Sequence, residues 1–322
     1  METEFLLNPE NNRLTVYPLR YHDIWDSYKI QEAAFWTAEE IDFSQDSHDF
    51  SKLNDNEQFF IKMILSFFAA SDTIVNINLG ERFVQEIQIR EAIIAYNFQM
   101  MMENIHGEVY SLMIDNIIKR EEEKNKLFNA LYEYPCIKNK IKWAEKWTKS
   151  EESFPQRLIA FAIVEGVFFS GSFCAIFWIK EKNIMPGLCQ SNELISRDEG
   201  SHVDFACLLY SKIKNRLSEQ TVHKMFKEAY EIEKEFICES LSCSLIGMNK
   251  EMMQKYIQFV SDRLLVQLGY SEIWKSSNPF PFMENISMEG KSNFFERKPT
   301  QYQHPFVLNK TKGSTYNFTT DF

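Results

Sequence analysis

The sequence predicts an all-α protein, and three observations carry that expectation. Only ten glycines and nine prolines occur in 322 residues, too few turn formers for a chain of many short strands. Apolar residues recur at the spacing of long helices, with no strand-like alternation beyond about five residues. Two strings, Glu103-Asn-Ile-His106 and Glu199-Gly-Ser-His202, each set a carboxylate and an imidazole three residues apart, which on a helix brings both to one side.

Residues 21 to 40 read as the first helix, with Trp25 and Trp36 on it. Asn54-Asp-Asn-Glu57 has the form of a capping box and opens a long helix through FFIKMILSFFAASDTIVNINL. The segment AIIAYNFQMMMENIHGEVYSLMIDNIIKR forms another, and its charged run from Lys119 to Lys126 marks a solvated exit. A shorter helix covers Cys136 to Trp147. Phe154-Pro155 starts an apolar helix, since proline is tolerated in a first turn. Met185-Pro186-Gly187 is the turn that follows, and Ser191-Asn-Glu opens the helix with Glu199 and His202. Two amphipathic helices, about 218 to 243 and 249 to 268, come next, the second stopped near Gly269. From about residue 285 the helical period is lost and polar residues mix with isolated aromatics. The expected organisation is one domain over 1–285 and a flexible tail over 286–322.

Two facing helices with E-x-x-H, joined by one lone carboxylate from each of two others, are the arrangement of di-iron carboxylate bundles, so the bundle expected is ferritin-like. Lone acids in apolar helix complete the set: Asp72 in FFAASDTIVNINL and Glu165 in IAFAIVEGVFF. The candidate metal ligands are therefore Asp72, Glu103, His106, Glu165, Glu199 and His202. Four carboxylates balance two divalent cations, and without metal their burial would be costly. Tyr110 stands four residues after His106 and seven after Glu103, on the same face, which makes its phenol a candidate electron donor. Phe169 and Phe173, four and eight residues after Glu165, would wall that pocket. Asp198, beside a ligand, is the candidate acceptor for the second N–H of a ligand histidine.

Composition narrows the class. The chain is 44% hydrophobic and 25% charged, normal for a soluble protein with a sizeable core. A net charge of −11 argues against nucleic acid and anionic membrane as partners. The N-terminus has no basic region followed by an apolar run, so no secretory leader is expected. The cysteines at 136, 174, 189, 207, 238 and 243 form no C-x-x-C and read as reduced thiols of a cytoplasmic protein. Leu158 to Ile179 carries a single charge, Glu165, and is long enough to span a bilayer. An acid near its middle and the lack of a comparable second span make it a buried central helix instead.

The strings EAAFWTAEEIDFS, FFAASDTIVNINL, FQMMMENIHGEVYSLMID, VEGVFFSGSF and MPGLCQSNELISRDEGSHVDFACLLY resemble the small, radical-generating subunit of class I ribonucleotide reductase, of the eukaryotic and large-virus type. The likeness runs from about Arg20 to the last residue. It implies a ribonucleoside-diphosphate reductase in which an oxo-bridged di-iron centre and molecular oxygen generate a tyrosyl radical. The radical passes to a large subunit that reduces ribonucleotides. By the resemblance the iron ligands are the six residues above and the radical falls on Tyr110. Phe169, Phe173 and Ile195 form its apolar wall, and Trp36, Asp198 and His106 form the electron path. Tyr302 relays between subunits, and the terminal residues to Phe322 dock on the large subunit. A homodimer is implied as well.

Three departures from the family pattern stand out. The N-terminal extension is short, so a regulatory signal there is expected to be missing. Ile77 occupies a position where an acid is expected, and the terminal segment between Phe318 and Phe322 is short. Another ferritin-like di-iron oxidase and a radical-dead partner-binding homologue are the alternatives. Asp72 in place of glutamate, together with Tyr110, speaks against the first. The intact ligand set and Tyr110 speak against the second.

Overall fold

The computed structural model describes residues 4–148, 151–240 and 248–283, without the side chains at 72–74, 131 and 148. Among the described residues the regular structure is helical. The α-helices are α1 (His22–Ala33), α2 (Asp46–Lys52), α3 (Asp55–Asn78), α4 (Val84–Glu86), α5 (Arg90–Ile117), α6 (Glu121–Phe128), α7 (Ala130–Glu133), α8 (Pro135–Thr148), α9 (Phe154–Ile163), α10 (Ser170–Glu181), α11 (Pro186–Ser211), α12 (Glu219–Ser240) and α13 (Lys250–Gln267). The centre is a bundle in which α3 packs along α5, and α9 and α10 pack along α11. Helices α8, α12 and α13 cover the α9–α10 side, and α1 covers α5 and α11.

Local chemistry accounts for the starts. Asn54 Oδ1 accepts the N–H groups of Asn56 and Glu57 at 3.1 and 3.0 Å, and Glu57 returns a carboxylate to the Asn54 N–H, so the expected capping box opens α3. Asn249 caps α13 through the Met252 N–H at 2.9 Å. Gly269, at φ +83°, lies just past its end.

Four expectations change. Helix α1 stops at Ala33, so Trp36 lies in the extended stretch before a short 3-10 turn, Ala38–Glu40. The charged run after α5 is itself a short helix, α6, because its three leading glutamates suit a helix N-terminus. Helix α11 begins at Pro186, ahead of Ser191. Its cap is tertiary: Asp46 of α2 accepts the N–H groups of Gly187 and Leu188 at 2.9 and 2.7 Å. Only glycine fits at 187, where a Cβ would meet the Asp42 carbonyl oxygen at 2.6 Å. Lastly, Asp55–Glu86 is a second stretch long and apolar enough to cross a membrane. Lys62 and Asp72 interrupt it, so it holds no charge-free run of spanning length. Of the apolar window in Phe154–Glu181, 94% is buried inside the protein, as a core helix requires.

The apolar helix is not continuous. Between α9 and α10 a π turn, Val164–Phe168, inserts an extra residue, and Glu165 sits inside it. Helix α3 likewise runs into a π turn, Leu79–Phe83. Cys136, Cys174, Cys189 and Cys207 are buried free thiols and Cys238 is half-buried, while Cys243 lies outside the described residues.

Candidate metal centre

Three elements bring five predicted ligands together. Helix α5 supplies Glu103 and His106, the π turn Glu165, and α11 Glu199 and His202. All five are at most 3% exposed. One donor atom each from Glu103, Glu165, Glu199 and His202 lies within 4.8 Å of all the others. His202 Nδ1 is 3.0 Å from Glu103 Oε1 and 3.2 Å from Glu199 Oε2. His106 Nδ1 faces Glu199 Oε1 at 3.1 Å and Glu103 Oε2 at 3.5 Å. Asp72 belongs to α3, but its side chain lies outside the described residues.

The electrostatics are those of a site short of positive charge. Burial by itself would lower both imidazoles. The carboxylates of Asp198, Glu103 and Glu199 around the ring overcome it and hold His106 well above the usual histidine range. The Glu199 charge and hydrogen bonds to Glu103 and Glu199 raise His202 to about 9. Burial pushes Glu199 up, but His202 and the hydrogen bonds around it hold it far below the ordinary carboxylate range. Glu103 Oε2 and His106 Nδ1 are buried and make no hydrogen bond. Convergent carboxylate and imidazole donors, with unsatisfied atoms aimed at one another, fit an oxygen- and nitrogen-binding metal such as iron.

The other face of His106 is anchored. Its Nε2 lies 3.3 Å from Asp198 Oδ2, and the same oxygen accepts the Trp36 indole N–H at 2.7 Å. The Trp36 and His106 rings stack at 5.9 Å with 20° between planes. Asp198 Oδ1 takes two bonds from Arg197, at 3.2 and 3.0 Å. With Nε2–H directed at Asp198, Nδ1 is the atom turned into the carboxylate cluster, and deprotonated it would be the one to bind a metal. Burial would raise Asp198, but His106 and Arg197 hold it below its ordinary value.

Tyr110 is 2% exposed and stacks on Phe68, with centroids 4.5 Å apart and 6° between planes. Phe68 also packs on Phe169 and Phe173, at 5.7 and 5.0 Å. Ile195 is buried on α11. The wall thus contains Phe68, which sequence reasoning missed although it stands four residues before Asp72 on α3. Gln99 was missed too. It lies four residues before Glu103, fully buried, and donates to Glu165 Oε1 at 2.9 Å. Arg197 was the third omission. Ile77 is 43% exposed, on the outer side of α3. Tyr302, Phe318, Asp321 and Phe322 lie outside the described residues.

Comparison with known proteins agrees with this architecture. The family model described as "Ribonucleotide reductase, small chain" matches residues 13–279. The ribonucleoside-diphosphate reductase small chain of Plasmodium falciparum (isolate Dd2) is 54% identical over 319 residues, 99% of this chain and 91% of the relative. Subunit M2 of the Danio rerio enzyme is 51% identical over 323 residues, 100% of this chain and 84% of the relative. Among solved structures, the ribonucleotide reductase Rnr4 homodimer from Saccharomyces cerevisiae superposes with a TM-score of 0.80 at 38% identity, covering 89% of this chain and 92% of that one.

Proposed function

The chain belongs to the ribonucleotide reductase small chain family, and from that premise we propose how its own residues serve ribonucleoside-diphosphate reduction. The observation that carries the reading is the convergence of Glu103, Glu165, Glu199 and His202, with His106 joined through Nε2 to Asp198, which also accepts from Trp36. Those five residues, with Asp72 as the sixth, would hold two iron ions. When bound, the irons supply oxygen-dependent oxidation of a neighbouring phenol. Tyr110 would be the phenol that loses an electron and a proton, both taken up in the reduction of molecular oxygen. Phe68, Phe169 and Phe173 keep water from that phenol and so lengthen the life of the resulting radical. Asp198 holds the proton on His106 Nε2 and the Trp36 N–H in one hydrogen-bonded unit, which suits coupled movement of an electron and a proton towards the surface.

The protein works as a homodimer with a large subunit that reduces the nucleotide, in the cytoplasm. Tyr302 relays the radical, and the tail over 286–322, ending at Phe322, is the dock. Phe318 and Phe322 offer two apolar anchors, and Asp321 with the terminal carboxylate offers charge for a basic site.

The test is electron paramagnetic resonance after adding Fe(II) and oxygen to the metal-free protein. Two irons per chain and a tyrosyl signal are expected. Iron uptake with no tyrosyl signal would refute the radical role, and no uptake would refute the metal centre.

A further inference from the structure

One buried ion pair is unused by this account. Lys140 of α8 and Glu233 of α12 are both fully buried, with Nζ 2.6 Å from Oε2. Lys140 Nζ also donates to the carbonyl oxygen of Phe168 at 2.6 Å. The rings of Phe67 and Phe236 flank the ammonium, with centroids at 3.4 and 4.0 Å. Glu233 Oε1 accepts no hydrogen bond and sits against Gly171, where a Cβ would come within 2.8 Å of it.

Such a pair is a poor device for stability alone, because the desolvation of two charges offsets their attraction and an apolar pair of like volume serves as well. Burial disfavours both of its charges, drawing Lys140 below the usual lysine range and pushing Glu233 above the usual carboxylate range. Its place is informative. Phe168 is the last residue of the π turn, three after Glu165 and one before Phe169. A π turn breaks the regular ladder of helix hydrogen bonds, so a carbonyl at its end gains from a donor outside the helix.

We infer that Lys140 and Glu233 are positioning residues: Lys140, oriented by Glu233, pins the Phe168 carbonyl and thereby holds Glu165 and the Phe169–Phe173 wall in fixed relation. A shift of that carbonyl moves the ligand on one side and the wall of Tyr110 on the other. The inference rests on the metal reading above only for its consequences, since the pinning itself belongs to the metal-free chain.

The test is Lys140→Met/Glu233→Gln in the full chain, which keeps volume and removes both charges. Three quantities are read beside the thermal midpoint: amide hydrogen exchange at residues 165–169 of the metal-free protein, affinity for Co(II), and the decay time of the Tyr110 signal. We expect a folded protein whose amides at 165–169 exchange at least about tenfold faster, whose Co(II) binding weakens about tenfold, and whose signal decays faster. Wild-type exchange at these amides in the folded double variant overturns the inference. If wild-type protein binds no Co(II), the metal reading fails and the exchange result alone decides the pinning. Should the double variant not fold, Lys140→Met, with Glu233 protonated, is measured the same way.

Discussion

Replacing Asp198 with asparagine tests the site at its most connected residue. The carboxylate accepts from Trp36 Nε1 at 2.7 Å, His106 Nε2 at 3.3 Å and Arg197 at 3.2 and 3.0 Å. Every one of these partners is a donor. Asparagine keeps one acceptor oxygen and turns the other position into an N–H pair, so at least one donor faces another donor. If the oxygen stays with Trp36 and His106, the amide confronts the Arg197 guanidinium. If it turns, His106 loses the group that holds its proton on Nε2, and the Nδ1 lone pair is no longer guaranteed to the cluster. A hydrogen bond to a charged group contributes about 1.5–3 kcal/mol. At about 1.4 kcal/mol per tenfold, that predicts metal affinity down by about 10- to 100-fold, the range known for partners of ligand histidines. Equilibrium titration of the metal-free protein with Co(II), beside a thermal melt to show folding, measures it. A folded Asp198→Asn with affinity within about twofold of wild type would mean that Asp198 does not orient His106.

Four other expectations follow from the same geometry. Tyr110→Phe should bind iron with unchanged stoichiometry and lose the tyrosyl resonance; persistence of the same signal would place the radical elsewhere. Trp36→Phe should load iron and form the Tyr110 signal yet lose most turnover with the large subunit, and wild-type turnover would refute the path. In the metal-free protein His202 is raised to about 9 from an ordinary 6.5. Its contribution is therefore fully present below pH 6.5 and is lost as pH rises through 9, worth about 3 kcal/mol at 1.36 kcal/mol per unit. Melts of metal-free protein should show that loss, and a flat profile from pH 6.5 to 9.5 would contradict it. Deleting Tyr316–Phe322 should abolish turnover with iron and radical intact, and a peptide of those residues should inhibit wild type; full activity of the truncation would put docking elsewhere.

Periodicity and capping made most of the helices legible, because α3, α5 and α13 are long and α3 and α13 carry their caps, Asn54 and Asn249, in their own residues. The start of α11 was not, because its cap comes from Asp46, about 140 residues earlier. The end of α1 was missed for a related reason: Trp36 continues an apolar rhythm but leaves the helix to reach Asp198. The two Glu-x-x-His pairs could be read from spacing because i and i+3 on a helix need no tertiary knowledge. Gln99, Arg197 and Phe68 could not, since glutamine, arginine and phenylalanine are common on helices and only the packing of α5, α11 and α3 shows what each touches. The π turn left no trace in hydropathy, because the apolar run continues through it with Glu165 as its single charge.

That turn has a consequence for how the chain tolerates length change. The extra residue between Val164 and Phe168 is taken up within the π turn itself, so α9 and α10 stay close to in phase while Glu165 is presented from a widened turn. Loss of one codon there would restore an unbroken α-helix and barely alter hydropathy or mass. It would leave Phe173, Trp178 and the rest of α10 near their present phase but remove the widened turn that presents Glu165. Substitutions in this segment are graded in effect, whereas a single-residue deletion is all-or-none. We expect the segment to accept exchanges among apolar side chains yet reject any change in its count.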